Sequence, residues 1–544
     1  MNLEQTMREP TAPTKYLWWQ HGVIYQIYPR SFQDSNGDGV GDLKGIVSRL
    51  DYLKWLGIDC IWLSPIFTSP MADFGYDISD YCGVHPLFGT MADFDELLEE
   101  AHSRGMKVLL DLVPNHTSDQ HPWFLESRSS RNNPKRDWYI WHDGGENGEL
   151  PNNWLSVFGG HAWEWDEATD QYYYHAFLKE QPDLNWRNPE VQQAMLDVMR
   201  FWLDKGIDGF RVDVMWHMIK DSQLRDNPVA PDSPFHADDL IYDHYIPTYS
   251  TDQPEVHEIV RMMRALTDEY EERVLIGEIY LPIHKLVTYY GQGGSEAHLP
   301  FNFQLLTLPW DAARIASSID EYEGALPLNG WPNWVLGNHD KPRIASRVGR
   351  SQAKVAAMML LTLRGTPTIY YGDEIAMRDV PIPMDEIVDP QGLNMPELNV
   401  SRDPARTPMQ WSNEIHSGFS QHKPWLRLPY NSGRVNVEMQ KKDPHSMLAF
   451  YHKLIAARKQ YAALNIGAYI PVYSDQQLIS YIRQFGDERF LIILNLTHRP
   501  GYFRPRTGSY SGIVILCTEI ERVGMSVSGI IAMGGDEGLL IKLN

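Results

Sequence analysis

Gly209-Phe210-Arg211-Val212-Asp213 is the stretch on which the reading of this chain turns. Strand alternation puts Phe210 and Val212 on one side and Arg211 and Asp213 on the other. An arginine and an aspartate on one face of an otherwise apolar strand are costly unless they pair, bind something or do chemistry. A structural ion pair would explain this strand alone. It does not explain the other strand-like segments that also end in ionisable groups: Asp111-Leu112-Val113-Pro114-Asn115-His116, Gly277-Glu278 and Asn338-His339-Asp340.

Outward from that stretch, strand-like segments recur at 23–28, 60–63, 107–113, 209–213, 274–278, 301–303, 334–338 and 368–371. Helical patterns fall between them, over 42–57, 94–104, 189–205, 254–270 and 351–363, and the first shows Ile46, Leu50, Leu53 and Leu56 at helical spacing. A helix near 443–459 closes the series. Strand candidates in βα order imply an α/β protein whose parallel sheet closes as a TIM (β/α)8 barrel.

The rhythm breaks after His116. Residues 117–184 are rich in Trp, Asn, Gly and Tyr without helical period, and are too many for a loop. They are expected to form a small inserted domain, domain B, after the third strand. The catalytic barrel, domain A, then comprises 18–116 and 185–464, with a long irregular stretch over 376–435. Residues 1–17 read as a flexible N-terminal lead. From 465 to 544 strand patterns at 479–482, 490–494 and 539–541 are separated by Gly and Asp turns. That pattern predicts a C-terminal all-β sandwich, domain C.

The chemistry of a TIM barrel sits at the C-terminal ends of its strands. Asp213, Glu278 and Asp340, with Arg211, His116 and His339, would converge there. A barrel built for stability alone has no reason to gather these groups at one rim. Carboxylates in one pocket push each other's pKa values apart, so one stays ionised while another holds a proton. Cleavage of a glycosidic bond needs that division.

Composition narrows the partners. A formal charge of −23 argues against nucleic acid and anionic membrane surfaces. It suits a cytoplasmic enzyme, monomer or homodimer, with a small neutral substrate. The 18 Trp and 28 Tyr offer flat apolar faces to sugar rings, although large cores would also use them. No apolar run is long enough to span a membrane, and the N-terminus has no signal-like apolar segment. Cys60, Cys82 and Cys517 are too far apart for a disulfide framework or a Cys-x-x-Cys zinc site.

The four strand-end motifs, in this order, resemble the α-amylase superfamily of retaining glycoside hydrolases (glycoside hydrolase family 13), and the resemblance covers nearly the whole chain. Gln181-Pro182-Asp183-Leu184-Asn185-Trp186, the Gly159-Gly160-x-Ala162-Trp163 stretch and Ser401–Trp411 are most similar to its oligo-1,6-glucosidase and α-glucosidase branch. The resemblance implies that Asp213 is the nucleophile, Glu278 the general acid/base and Asp340 the stabiliser of the transition state. It implies that Arg211 holds Asp213 ionised and oriented, and that His116 and His339 bind sugar hydroxyls. Asp73 and Tyr76 would line the non-reducing glucose subsite, Phe158 and Phe177 would contact sugar faces, and Arg402 would add a polar contact. Arg406 could take the place of Arg402. Phe158 and Phe177 could equally be core residues of the inserted domain.

In this branch a Val after the nucleophile goes with α-1,6 linkages, and Val214 is that residue. The residues that follow, Met215-Trp216-His217, are not the branch's common ones. The implied activity is an exo-acting α-glucosidase, with retention, that releases glucose from the non-reducing end of short maltose- or isomaltose-type oligosaccharides, with sucrose as a further candidate substrate, and also transfers glucosyl groups. A transferring or isomerising enzyme, trehalose or isomaltulose synthase-like, is the alternative. Lys341-Pro342-Arg343-Ile344 after Asp340 lacks the Arg-x-Asp-Arg-type stretch of isomaltulose synthases. A non-catalytic barrel scaffold is a remoter alternative, since such relatives lack parts of the catalytic set.

Asp34-Ser35-Asn36-Gly37-Asp38-Gly39-Val40-Gly41-Asp42 carries oxygen ligands at every second residue, as hard cations require. It opens like an EF-hand, but Gly45 stands where the closing Glu would be. Asp34, Asn36, Asp38, the Val40 carbonyl and Asp42 are the candidate ligands. A similar loop in oligo-1,6-glucosidase-like enzymes holds Ca2+ or Mg2+, which implies a structural ion here and no organic cofactor. A solvated acidic turn without metal is the other reading.

Overall fold

The structure is a computed structural model that describes residues 16–145, 148–505 and 508–544. Its centre is a parallel sheet of strands β1 (Ile24–Ile27), β2 (Cys60–Leu63), β3 (Lys107–Leu112), β4 (Gly209–Val212), β5 (Val274–Gly277), β6 (Leu299–Pro300), β7 (Asn333–Val335) and β8 (Thr366–Tyr370). Neighbours run in the order β6-β5-β4-β3-β2-β1-β8-β7. A parallel bridge between Asn302 and Trp334 joins β6 to β7 and closes the barrel. The interior is filled by Ile24, Cys60, Trp62, Leu109, Ile276 and Val335, with Trp18 and Trp19 of a short helix, Trp18–His21, in the same cluster. This is a packed core, so only the rim is left for function.

The surrounding helices are α1 (Leu43–Leu56), α2 (Met91–Ser103), α3 (Pro189–Asp204), α4 (Val256–Thr267), α5 (Ile283–Leu286), α6 (Ala312–Ala325), α7 (Gly349–Thr362) and α8 (Met447–Gln460). Their ends follow local chemistry. The Asp42 side chain accepts the Gly45 N–H at the start of α1, and Gly57 ends it in the left-handed region at φ 99°. Thr90 and Asp93 form a capping box at α2. Ile46, Leu50, Leu53 and Leu56 form the buried face of α1, at the spacing that marks it in the sequence.

Domain B holds a three-stranded antiparallel sheet, with Gln171–Tyr174 between Trp141–His142 and Trp163–Asp166. Trp154, Trp163 and Tyr174 form its core. It also contains a helix, Pro122–Ser129, where no helical period was read. Only Phe124 and Ser127 of that helix are buried, so its sequence carries no apolar stripe. The bridge His116–Asp183 ties the end of the insertion back to the barrel, and Tyr139–Leu184 pairs within it.

Domain C is a six-stranded antiparallel sheet facing a two-stranded one, Gly501–Phe503 with Ile531–Met533. Leu491, Ile493, Phe503, Ile531, Met533 and Ile541 pack between the sheets. It joins the barrel through buried polar contacts: Gln352 Nε2 to the Asn495 carbonyl at 3.3 Å and Thr362 Oγ1 to Tyr481 Oη at 2.6 Å.

Two expectations are corrected. The sixth strand is Leu299–Pro300, not 301–303. Phe301 and Phe303 alternate like strand residues, but the Asn302 side chain accepts the Gln304 N–H at 3.0 Å and turns the chain into the helix Gln304–Thr307. Of the expected lead 1–17, residues 1–15 lie outside the described residues. Tyr16 and Leu17 belong to the folded body, with the Tyr16 ring 5.9 Å from that of Trp331.

One glycine fixes the position of the strand that opened the reading. Gly209 has φ 144°, and a Cβ there would lie 2.0 Å from the Val274 carbonyl oxygen. Gly209→Ala is therefore expected to lower the melting temperature by about 5 °C or more, read by thermal unfolding, because β4 would be pushed off β5.

Candidate active site

Strand alternation turns Asp111 of β3 and Arg211 of β4 toward the interior just below the rim, where the two residues are paired neighbours in the sheet. Arg211 is 1% exposed and meets three carboxylates. Its Nη1 donates to Asp111 Oδ1 at 2.6 Å and to Asp213 Oδ1 at 2.7 Å. Its Nη2 lies 2.6 Å from Glu278 Oε2, an ion-pair contact without an aligned hydrogen bond. The guanidinium stacks 5.0 Å from the Trp62 ring, whose Nε1 donates to Asp111 Oδ2 at 3.2 Å. Burial opposes the charge on Arg211, but Asp111 and Glu278 outweigh it and hold the guanidinium firmly protonated.

Three carboxylates around one cation leave surplus negative charge in a buried place. Burial, only partly offset by Arg211, pushes Asp111 up to about 7. Burial also raises Asp213 against the pull of Arg211, and the nearby carboxylate of Glu278 adds to it. The cluster is thus built to retain a proton that can move within it.

Asp340 is treated differently. Burial would raise it, but Arg406 and Arg402 pull it well below the usual carboxylate range, with the neutral His339 ring beside it. Arg406 Nη2 is 3.0 Å and Arg402 Nη1 3.4 Å from Asp340 Oδ1. Arg402 also spans Asp73 (2.6 Å) and Asp389 (2.6 Å) through Nη2. Both arginines reach Asp340, but of the two only Arg402 lines the pocket, and Arg406 lies behind it. Arg402 stacks 4.7 Å from the Phe158 ring.

The two histidines are neutral and each is fixed in one tautomer. Gln26 Nε2 donates to His339 Nδ1 at 2.8 Å, so the ring proton sits on Nε2, which faces Tyr76 Oη at 2.7 Å. The Tyr76 and His339 rings stack at 5.3 Å. Asn115 Nδ2 donates to His116 Nδ1 at 3.0 Å, and His116 Nε2 donates to the Tyr76 carbonyl at 3.1 Å. Burial pushes His116 down to about 4. Asn115 is itself held by Lys220 Nζ at 2.7 Å and by Asp183 at 2.8 Å, and Lys220 pairs with Asp183.

Val214 adopts φ 36°, ψ 48°. A β-branched residue in the left-handed region carries on the order of 1–3 kcal/mol of strain. Its N–H donates to Glu278 Oε2 at 2.9 Å, so the kink links the residue after Asp213 to Glu278.

These side chains surround a cavity of about 460 Å³, in the range of small-molecule sites. Asp73, Tyr76, His116, Phe158, Phe177, Asp213, Val214, Glu278, His339, Asp340 and Arg402 all line it. Arg211 lies beneath it. Phe177 sits between His116 (5.2 Å) and Phe158 (5.6 Å), so these rings are pocket wall as well as domain B packing. Gln26, Lys220 and Asp389 were not singled out from sequence. They act through partners distant in the chain, and nothing local marks them.

The loop at 34–42 follows β1. Its candidate ligands are all oxygens, which suits Ca2+ or Mg2+ in kind. Gly37 and Gly39, at φ 83° and 92°, curl the chain back on Asp34, whose carboxylate accepts the N–H groups of Asn36, Gly37 and Gly39 at 3.0, 2.7 and 2.9 Å. Asp42 is occupied as the cap of α1, with Gly45 N–H at 2.7 Å. Among the described residues no cluster of three or more Asp, Glu, His or Cys groups is arranged to hold a metal.

Residues 26–467 match the family model for the α-amylase catalytic domain. The chain is 42% identical over 517 residues to a probable α-glucosidase of Rhizobium meliloti, covering 91% of this chain and 92% of that protein. It is 40% identical over 525 residues to an oligo-1,6-glucosidase of Parageobacillus thermoglucosidasius, covering 90% and 92%. Among solved structures, the α-glucosyl transfer enzyme XgtA is similar with a TM-score of 0.92 and 40% identity, over 97% of this chain and all of that one. A barrel with paired carboxylates at its rim is one architecture that glycoside hydrolases use. The chain belongs to the α-amylase family of these enzymes.

Removing one cation tests the electrostatics. Asp340 and Asp389 are held low by Arg402, so their contribution to stability is present above about pH 4 and is lost as pH falls through their depressed folded values. Arg402→Ala is expected to cost about 3–5 kcal/mol at pH 7, with the gap to the parent protein shrinking only as pH falls below about 4, as measured by denaturant unfolding across pH.

Proposed function

We propose that the protein is a retaining, exo-acting α-glucosidase that releases glucose from the non-reducing end of short α-glucosides. The observation that carries this reading is the pair Asp213 and Glu278 on one guanidinium, at the edge of a pocket whose third carboxylate, Asp340, is kept ionised. Two carboxylates held this close suit the short separation of retaining chemistry.

The non-reducing glucose lies against Asp73, Tyr76, His116, His339, Asp340 and Arg402, with Phe158 and Phe177 on its apolar faces. The aligned 2.7 Å hydrogen bond from Arg211 favours charge on Asp213. Glu278, whose contact with Arg211 is unaligned, is the general acid in this reading. A carboxylate oxygen of Asp213 attacks the anomeric carbon as the glycosidic C–O bond breaks, and Glu278 gives its proton to the departing oxygen. Glu278, now a carboxylate, takes a proton from water, whose oxygen displaces Asp213 from the anomeric carbon. Two inversions give retention. A sugar hydroxyl in place of that water gives transfer, and the similarity to an α-glucosyl transfer enzyme supports this second outcome. Val214 beside both carboxylates favours α-1,6 linkages in the reading. The cysteines Cys60, Cys82 and Cys517 are unpaired, which suits a cytoplasmic enzyme, and no helix of the described residues is long and apolar enough to cross a membrane.

Asp213→Asn and Glu278→Gln are each expected to lower kcat on an aryl α-glucoside by on the order of 10³-fold or more while the circular dichroism spectrum is kept. Proton NMR of the first turnovers of the parent enzyme on isomaltose should show α-glucose before mutarotation. Initial β-glucose would rule out retention.

The loop at 34–42 is proposed to hold a structural Ca2+ or Mg2+ through Asp34, Asn36, Asp38, the Val40 carbonyl and Asp42. Chelation should lower the melting temperature, and either ion should restore it. An unchanged melting temperature with EDTA would make the loop a plain acidic turn.

A further inference from the structure

Met215-Trp216-His217 forms a 3-10 turn directly after Val214. The mechanism above leaves it unused. His217 is 3% exposed and lines the catalytic cavity. Its ring neighbours are aromatic: Trp216 at 4.7 Å and Phe177 at 5.5 Å. Its Nδ1 is buried and has no hydrogen-bond partner among the described residues. A buried polar atom without a partner is costly, and such atoms at a cavity wall are accounted for when a ligand or water completes them. Burial, reinforced by Lys220 and His116, holds the imidazole well below its usual pKa, so it is neutral and carries one donor and one acceptor.

The turn adjoins the residue read as serving the leaving side, while Phe177, beside His217, belongs to the glucosyl wall in the reading. Val214, its cap, donates to Glu278, the residue read as protonating the departing oxygen. Trp216 packs 5.8 Å from Tyr280, which follows Glu278 by two residues. The groups read as gripping the glucosyl unit through ion pairs, Asp73, Asp340 and Arg402, bond to one another in a separate network.

We propose that His217 hydrogen-bonds a hydroxyl of the sugar on the leaving side of the scissile bond and is a specificity-determining residue of this enzyme. The inference rests on the α-glucosidase reading. It explains why an imidazole, in place of an apolar side chain, stands among rings at this wall.

The test compares kcat/KM on maltose, isomaltose and p-nitrophenyl α-glucoside, whose leaving group carries no sugar hydroxyl. His217→Phe should lose about five- to tenfold more on the better disaccharide than on the aryl glucoside, the worth of one neutral hydrogen bond. His217→Asn, which keeps a polar atom near the Nδ1 position, should recover most of that difference. Near-UV circular dichroism checks that each variant is folded, and the Asn variant carries the comparison if the Phe variant is not. Equal losses on all three substrates, or no loss on any, overturn the role of His217 alone. A parent enzyme inactive on all three overturns the α-glucosidase reading, and the role of His217 with it.

Discussion

Everything at the rim of this barrel depends on one guanidinium. Arg211 is fully enclosed, flanked by Trp62 on its face and by Asp111, Asp213 and Glu278 on its edges. A buried arginine needs carboxylates, and buried carboxylates need an arginine. Neither requirement fixes the ratio. Three acids to one cation leave an excess of negative charge that only a shared proton can relieve. A cluster with fewer acids would be a stable ion pair and chemically inert. The surplus carboxylate is what makes the site reactive, and the packed barrel below is what prevents water from relieving it.

A second constraint holds the pocket wall. The inserted domain could have been a loosely attached flap. Asp183, at its end, is instead tied to Lys220 from the loop after β4 and to Asn115 from the end of β3. That buried triangle sets the ring of His116 and fixes Phe177 and Phe158 at their distances from the barrel carboxylates. The geometry of the pocket wall therefore comes from a polar joint as much as from aromatic packing.

Much of this was legible in the chain. The strands ending in Asp111–His116, Asp213, Glu278 and Asp340 stood out because ionisable groups in apolar segments are rare and need a reason. Alternation and helical spacing located most elements within a few residues. What escaped has physical causes. The sixth strand spans two residues and is continued only by a single bridge at Asn302, so Phe301 and Phe303 misled the reading. The helix Pro122–Ser129 buries too little to show a stripe. Lys220 and Asp389 carry no local signature, because their partners are set by the fold. The choice between Arg402 and Arg406 was open from spacing, and three-dimensional packing puts Arg402 at the pocket wall and Arg406 behind Asp340.

The order of the strands has a consequence for how the enzyme comes into being. β1 pairs with β8 as well as with β2, so Ile24 waits for Thr368 before its second edge is covered. Gln26 orients His339, and Asp73 is bonded to Arg402. A ribosome must therefore deliver more than two thirds of the chain before the first strand is enclosed, and must pass residue 402 before the pocket has its full set of charges. Until then an open edge and a half-built charge cluster are exposed to the cell. Synthesis of this protein is a period of vulnerability, and a product that stops before residue 402 lacks part of the charge set.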